Sequence, residues 1–272
     1  MIILESRRIR EPIPTPYPLG RHINHDSRAR QYTFDTRGLD IVTTRHAHRI
    51  PILDQGNLGS CTGNAAVGLL GTDPLYRALS TELQSHLQDA AWAEDYAVGV
   101  YETATSLDPF EGAYPPDDTG SDGPSAAKAL VRMAVSPGYT HTFSAGDAFR
   151  ALGQLPGMMG TNWYESFFYP DNDGRVRFTT GDRIAGGHEV MADEINAEKQ
   201  IVWFRNSWGP GWGANGRFYM TFDLITRLLS EGGDWTFVLP LNVPAPVPTP
   251  TDDDRVLRDA QQEWARTKGW ST

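Results

Sequence analysis

The sequence predicts an α+β protein, a helical first half followed by an antiparallel β second half. Residues 72–122 carry apolar side chains at helical spacing, with Ala93, Tyr96, Ala97, Val100, Tyr101 and Ala104 on one face. From residue 156 onward, short runs rich in aromatic and β-branched residues alternate with Gly, Asn, Asp and Pro, the composition of strands joined by turns. A chain of 272 residues with 39% apolar content is long enough to bury one sizeable core and still carry extensions.

Taken in order, the first fifty residues are expected to be extended or irregular, because Pro12, Pro14, Pro16 and Pro18 forbid a helix there. They hold nine arginines against five acids, so the remaining 222 residues carry −14 of the net charge of −10. This arginine-rich arm is expected to run over the acidic body, near whatever cleft that body has. His22, His25, His46 and His48 lack the cysteine or carboxylate spacing of a metal site, and structural or surface roles are expected for them. The spacing of Ala65, Ala66, Leu69 and Leu70 predicts a helix over 62–70, stopped at Gly71.

A second helix is expected over 89–106. The polar loop from Tyr114 to Pro124 leads into a third over 125–135, with Pro124 near its first turn. Residues 144–154 read as a short helix and 156–163 as the first strand of the β half. Asp171-Asn172-Asp173-Gly174 lacks the closing glutamate of a calcium loop and is expected to be a hairpin turn. Strands are expected at 217–221 and 234–238 with a helix at 222–229 between them. Residues 243–250 alternate proline into a stiff linker, and Asp252, Asp253 and Asp254 open a helix to Lys268 whose stripe of Val256, Ala260 and Trp264 needs a partner surface.

The chemistry gathers around Asp54-Gln55-Gly56-Asn57-Leu58-Gly59-Ser60-Cys61. Cys61 is the single cysteine of the chain, placed where a glycine-rich loop enters the first turn of the helix. There the helix dipole and unpaired N–H groups favour thiolate over thiol. A lone cysteine is also a small buried hydrophobe in many proteins, so the assignment of a nucleophile needs a base. Gln55 offers a side-chain amide that can donate to a developing oxyanion beside the Cys61 N–H. His188 and Asn206 lie on either side of a turn at Asn196-Ala197-Glu198-Lys199. Facing residues of an antiparallel hairpin closed there have indices summing to about 395, and His188 with Asn206 sums to 394. The hairpin is expected to place an imidazole opposite the amide that orients it.

With these residues in hand, the sequence resembles the papain-like cysteine peptidases. Gln55 and Gly59-Ser60-Cys61 match their oxyanion glutamine and nucleophile segment, and Gly187-His188 their histidine segment. Asn206-Ser207-Trp208-Gly209-Pro210-Gly211-Trp212-Gly213-Ala214-Asn215-Gly216 matches their asparagine run almost throughout. The order Cys, His, Asn agrees, and the likeness spans about residues 51–239, strongest to the short bacterial and phage-type members. It implies a two-lobed fold with a helical lobe, an antiparallel β lobe and a cleft between. It implies peptide-bond hydrolysis through an acyl-enzyme, with Cys61 as nucleophile, His188 as base and acid, Asn206 orienting the ring and Gln55 in the oxyanion hole. Trp208 and Ser207 would support the triad, Trp208 by shielding the His–Asn bond.

Gly59, Gly120, Asp122, Gly123, Gly187, Glu189 and Trp212 would face substrate. For Gly120 to Gly123 a plain helix-entry turn is an equal reading, and Trp208 and Trp212 read also as core aromatics. Glu189 stands where the family often has a small residue at the subsite for the second residue before the cut, and is expected to narrow or acidify it. Two departures are plain: Leu58 replaces a disulfide cysteine, which suits a reducing compartment, and Thr62 replaces an aromatic residue. The chain would divide into an arm (1–50), a papain-like domain (51–240), a proline-rich linker (241–251) and a C-terminal docking helix (252–272).

No metal or other cofactor is expected. The partners expected are a peptide or protein substrate and a protein or second copy docked through the C-terminal helix. The acidic pI near 5.1 argues against nucleic acid, and no apolar run has membrane length. Glu5 and Arg7-Arg8 interrupt any signal-peptide core, which suggests a cytoplasmic or virion-associated protein. Alternatives on the same triad are a cell-wall peptide hydrolase and an acyltransferase; a third is a silent fold serving as a structural or binding module.

Overall fold

The computed structural model describes residues 13–24 and 33–244. Pro12, His25, the linker beyond residue 244 and the expected helix at 252–268 lie outside the described residues. Within them the elements run β1 (Thr44–Arg45), α1 (Cys61–Leu70), α2 (Leu75–Ala78), α3 (Thr81–His86), α4 (Ala90–Leu107), α5 (Gly123–Arg132), β2 (Tyr139–Thr142), α6 (Ala145–Leu152), β3 (Gly157–Tyr164), β4 (Ile184–Asn196), β5 (Ile201–Arg205), β6 (Arg217–Thr221), α7 (Phe222–Ser230) and β7 (Asp234–Val238). Helices α1 to α5 form one side of the molecule. The antiparallel sheet, in the order β2-β7-β3-β4-β5-β6 with β1 against β4, forms the other.

α1 has no solvent side. All ten of its residues are buried, and it packs between α4, α5 and β4. The expected apolar stripe is therefore only one part of its contact surface, since a helix enclosed all round has no need of a polar face. Gly68 of α1 faces Met191 of β4. α4 begins where Asp89 accepts a hydrogen bond from the Trp92 N–H at 2.9 Å, satisfying one of the free donors of its first turn. α5 starts two residues earlier than expected because Asp122 caps it, taking the Ser125 N–H at 2.8 Å, and it stops at Arg132 rather than 135. Ala134 follows at φ 58°, a left-handed backbone that ends the helix.

In the β half, β6 and β7 have the expected bounds, α7 ends one residue later and β3 is shifted by one residue at both ends. The β4–β5 hairpin differs in register. β4 continues to Asn196, the turn is residues 197–200, and Ile195 pairs with Val202. Facing indices therefore sum to 397 near the turn and to 396 beyond a bulge between Ala192 and Glu194. That bulge frees Asp193 from the ladder. Its buried carboxylate accepts from Arg205 at 2.6 Å and Arg217 at 2.9 Å, tying β4, β5 and β6 together. Asp171 to Gly174 does form a turn, closed by the Gly174 N–H on the Asp171 carbonyl at 2.8 Å. It does not join a hairpin: Arg175 beyond it bridges Tyr219 in parallel.

The core beneath the site is aromatic. Trp163, fully buried on β3, meets Phe167, Trp208 and Phe218 edge to face at 5.4–5.5 Å between centroids. No helix among the described residues is long and apolar enough to cross a membrane.

Candidate active site

Cys61 is the first residue of α1, fully buried. Ser60 before it caps no backbone donor; its hydroxyl donates instead to Asn64 Oδ1 at 2.9 Å. The first-turn N–H groups are thus left without a side-chain cap, the setting in which a sulfur anion is favoured. The loop leading to Cys61 is held from two sides. Asp118 accepts the Gly59 N–H at 3.1 Å and the Tyr101 hydroxyl at 2.8 Å. Residues 53–55 meet the asparagine run: the Gln55 N–H donates to the Ser207 carbonyl at 2.9 Å and the Gly209 N–H to the Leu53 carbonyl at 3.0 Å. The Ser207 hydroxyl donates to Gln55 Oε1 at 2.6 Å, which turns Gln55 Nε2 toward the Leu58 carbonyl (2.7 Å) and the Pro18 carbonyl (3.5 Å).

His188 lies on β4, the strand against which α1 packs. Its Nε2 is 2.7 Å from Asn206 Oδ1, despite the register of the hairpin. The ladder sum of 396 would put Val190 opposite Asn206. Asn206 has left β5 and bonds its N–H to the Gly216 carbonyl, so its side chain turns back to the imidazole. Asn206 Oδ1 also accepts the Ser207 N–H at 2.9 Å, which identifies it as the carbonyl oxygen and puts the ring proton on Nε2. Nδ1 has no hydrogen-bond partner among the described residues. Trp208 stacks on the imidazole (4.6 Å, 19°) and Trp163 meets it edge-on at 4.8 Å. This burial pushes the His188 pKa down to about 4, with the Asn206 bond acting in the opposite direction.

The arm enters this place. Tyr17 stacks on the outer face of Trp208 at 4.7 Å and 12°. Gly20 and Arg21 both donate their N–H to the Gly187 carbonyl, at 3.0 and 2.9 Å. Ser121 gives its N–H to Gly20 (2.9 Å) and takes that of His22 (2.7 Å), a parallel bridge centred on Arg21. The backbones lie so close that a Cβ on Gly187 would overlap the Arg21 carbonyl, and one on Gly59 would crowd the Leu19 carbonyl at 2.9 Å.

Of the residues expected to face substrate, Gly59, Gly187 and the Gly120–Gly123 segment thus meet the arm. Gly120 holds φ +70° and donates to Tyr101; Asp122 caps α5 and takes Asn24 Nδ2 at 3.0 Å. Glu189 is buried beside Gly123. Trp212 stands behind Trp208 in the aromatic core, its indole donating to the Phe168 carbonyl at 3.0 Å. Tyr17, Arg21 and Asp234 were not singled out in the sequence, whereas Ser121 lies within the Gly120–Gly123 segment that was; for Arg21 and Asp234 the opposite charges of arm and body were the one signal. His22, His46 and His48 bond to Thr119, Leu152 and Thr72, and no cluster among the described residues could hold a metal ion.

The two-sided arrangement, with Cys61 opening a buried helix and His188 on the sheet strand packed against that helix, is that of the papain-like fold. No family model matches the chain. It is 25% identical over 195 residues to a cathepsin B-like protein, CP1, of Giardia intestinalis, spanning 62% of this chain and 62% of that relative's length. Among solved structures it is similar to xylellain, a cysteine protease from Xylella fastidiosa, with a TM-score of 0.63 at 17% identity over 88% of this chain and 99% of that one. It is also similar to the digestive procathepsin L 3 of Tenebrio molitor (TM-score 0.55, 12% identity, 82% and 75% covered). The proform of the ragweed pollen allergen Amb a 11, a cysteine protease, has a TM-score of 0.53 at 16% identity, with 84% and 72% covered.

Proposed function

We propose that this chain is a papain-like cysteine peptidase that hydrolyses peptide bonds through Cys61, His188 and Asn206. The observation that carries the reading is the imidazole: Nε2 is committed to Asn206 under the Trp208 ring, and Nδ1 is left as the free basic nitrogen on the strand that packs against α1. In this reading Nδ1 takes the Cys61 proton, the thiolate adds to a peptide carbonyl, and Nδ1 returns the proton to the departing amine. Water then cleaves the thioester. Gln55 Nε2 receives the oxyanion together with the Cys61 N–H; its approach to the Pro18 carbonyl at 3.5 Å supports that reading. Substrate would replace the arm, pairing with Gly187 and Ser121 as residues 20–22 do now. Leu58, in place of a disulfide cysteine, supports placing the chain among the short bacterial and phage-type members.

The test is alkylation of Cys61 by iodoacetamide at mildly acidic pH, where an ordinary thiol is slow. The full chain is expected to react slowly, because the thiol is buried under an occupied cleft. The Arg21→Ala chain is expected to react quickly, and Arg21→Ala with His188→Ala to be slow again. Reaction at the same rate with and without His188 would refute the pairing.

A further inference from the structure

Arg21 carries its guanidinium out of the cleft into a closed acidic pocket. Its side chain is fully buried, and Nη2 donates to Asp234 Oδ2 at 2.7 Å and to the Gly232 carbonyl at 2.9 Å. Glu189 turns its carboxylate to the same place. A Cβ on Gly160 would stand 2.5 Å from Arg21 Nε, 2.6 Å from Asp234 Oδ1 and 2.7 Å from Glu189 Oε2, so all three groups converge over that glycine. Both Glu189 oxygens, Asp234 Oδ1 and two of the three guanidinium nitrogens have no hydrogen-bond partner among the described residues.

Two features separate this pocket from an ion pair that merely anchors a strand. It holds more carboxylate than one anchor requires, and burying a second acid without hydrogen bonds costs free energy. Burial, reinforced by Asp234, drives the Glu189 carboxyl well above the usual carboxylate range. The backbone of residues 20–22 is held by main chain, through the Gly187 carbonyl and both backbone groups of Ser121. Such pairing reads no sequence, and an extended peptide running in either direction can set one residue opposite Ser121. The side-chain pocket is then the part that discriminates.

We propose that the Asp234–Glu189 pocket is the specificity pocket of the cleft, selecting peptides with an arginine on the acyl side of the bond cut, and that Arg21 fills it as the chain's own ligand. The assignment rests on the peptidase reading for its location in a substrate cleft. Arginine fits better than lysine, because one guanidinium nitrogen donates to both Asp234 Oδ2 and the Gly232 carbonyl and two more donors remain on the side of Glu189, where an ammonium is a single point of charge.

The test uses the full chain with Arg21→Ala and Cys61→Ala, so that the pocket is open and nothing is cleaved. It is titrated calorimetrically with acetyl-Ala-Arg-Gly-amide and with the same peptide carrying norleucine for arginine. The arginine peptide is expected to bind at least tenfold more tightly, and Asp234→Asn and Glu189→Gln each to shrink that ratio. Equal affinities, or a preference that survives both substitutions, overturn the proposal. Should Arg21→Ala fold poorly, Arg21→Met keeps the aliphatic volume without the charge and serves the same titration. With Cys61 restored, a peptide library separates the two readings. Selective binding without cleavage supports the pocket and refutes the peptidase; cleavage indifferent to arginine does the reverse.

Discussion

Asn206 holds Nε2 of His188, and Nδ1 is left without a hydrogen-bond partner among the described residues. Its Oδ1 accepts both the imidazole and the Ser207 N–H, so an alanine there unpairs two buried donors. Loss of a buried partner costs about 1–3 kcal/mol, and Asn206→Ala is expected to lower peptide turnover by about ten- to a hundredfold with the fold retained by circular dichroism. Unchanged turnover would refute the orienting role. Trp208 does two things at once, covering that bond and packing on Trp163, Phe168 and Trp212. Trp208→Ala should therefore cost about 3–5 kcal/mol of stability in a urea melt, whereas Trp208→Phe keeps a stacking ring and most of the stability. At this scale the pairing of His188 with Asn206 was legible in the sequence. Cys61, Gln55, His188 and Asn206 announce themselves through residue type and spacing, because each role admits few side chains.

Elements were legible where a local signal sets them. Asp89, Ser144 and Thr221 each cap a helix with a side-chain acceptor close to where the helix was expected to start, and such caps depend on neighbours within three residues; Asp122 caps α5 in the same way, two residues before the expected start. The β4–β5 register was not: the turn falls one residue later than expected, at 197–200, and the bulge beyond it is a decision of the sheet. Asp193 leaves the ladder to lie between Arg205 and Arg217, and no pattern within β4 foretells partners on β5 and β6. Removing one side of a buried pair strands the other, so Asp193→Ala is expected to lose about 3–5 kcal/mol by chemical denaturation. A loss under 1 kcal/mol would show that the two arginines find water instead.

For the whole molecule, a buried and a half-buried histidine set an acid limit. His188 is lowered to about 4 and His48 to about 3, both chiefly by burial, against an ordinary 6.5 in the unfolded chain. Both are neutral in either state above pH 6.5. As pH falls from there toward 4, the unfolded chain takes up protons that the folded chain refuses, and stability is lost. Glu189, with its pKa raised, acts in the opposite sense, so the test is differential. His48→Gln, which can still bond Thr72, is expected to lose less stability between pH 7 and pH 5 than the unaltered chain does; identical losses would refute it. The arm belongs to this scale too. Deleting residues 1–40 uncovers Trp208 and opens the Arg21 pocket, and is expected to lower the melting temperature while raising Cys61 reactivity. If neither changes, the cleft contacts of residues 17–22 carry no weight in solution.

The residues by themselves determined the class of fold, the place of most helices and strands, and the four groups that could perform the chemistry. These depend on periodicity, capping and side-chain type, all of which are local. Only the tertiary structure decided that Asn206 reaches His188 from outside the ladder, that Asp193 ties three strands, and that Arg21 enters a pocket closed by Asp234, 213 residues away in the chain. Contacts over such separations are selected by the shape of the assembled core and the cost of burying charge, and neither quantity is written in any one stretch of sequence.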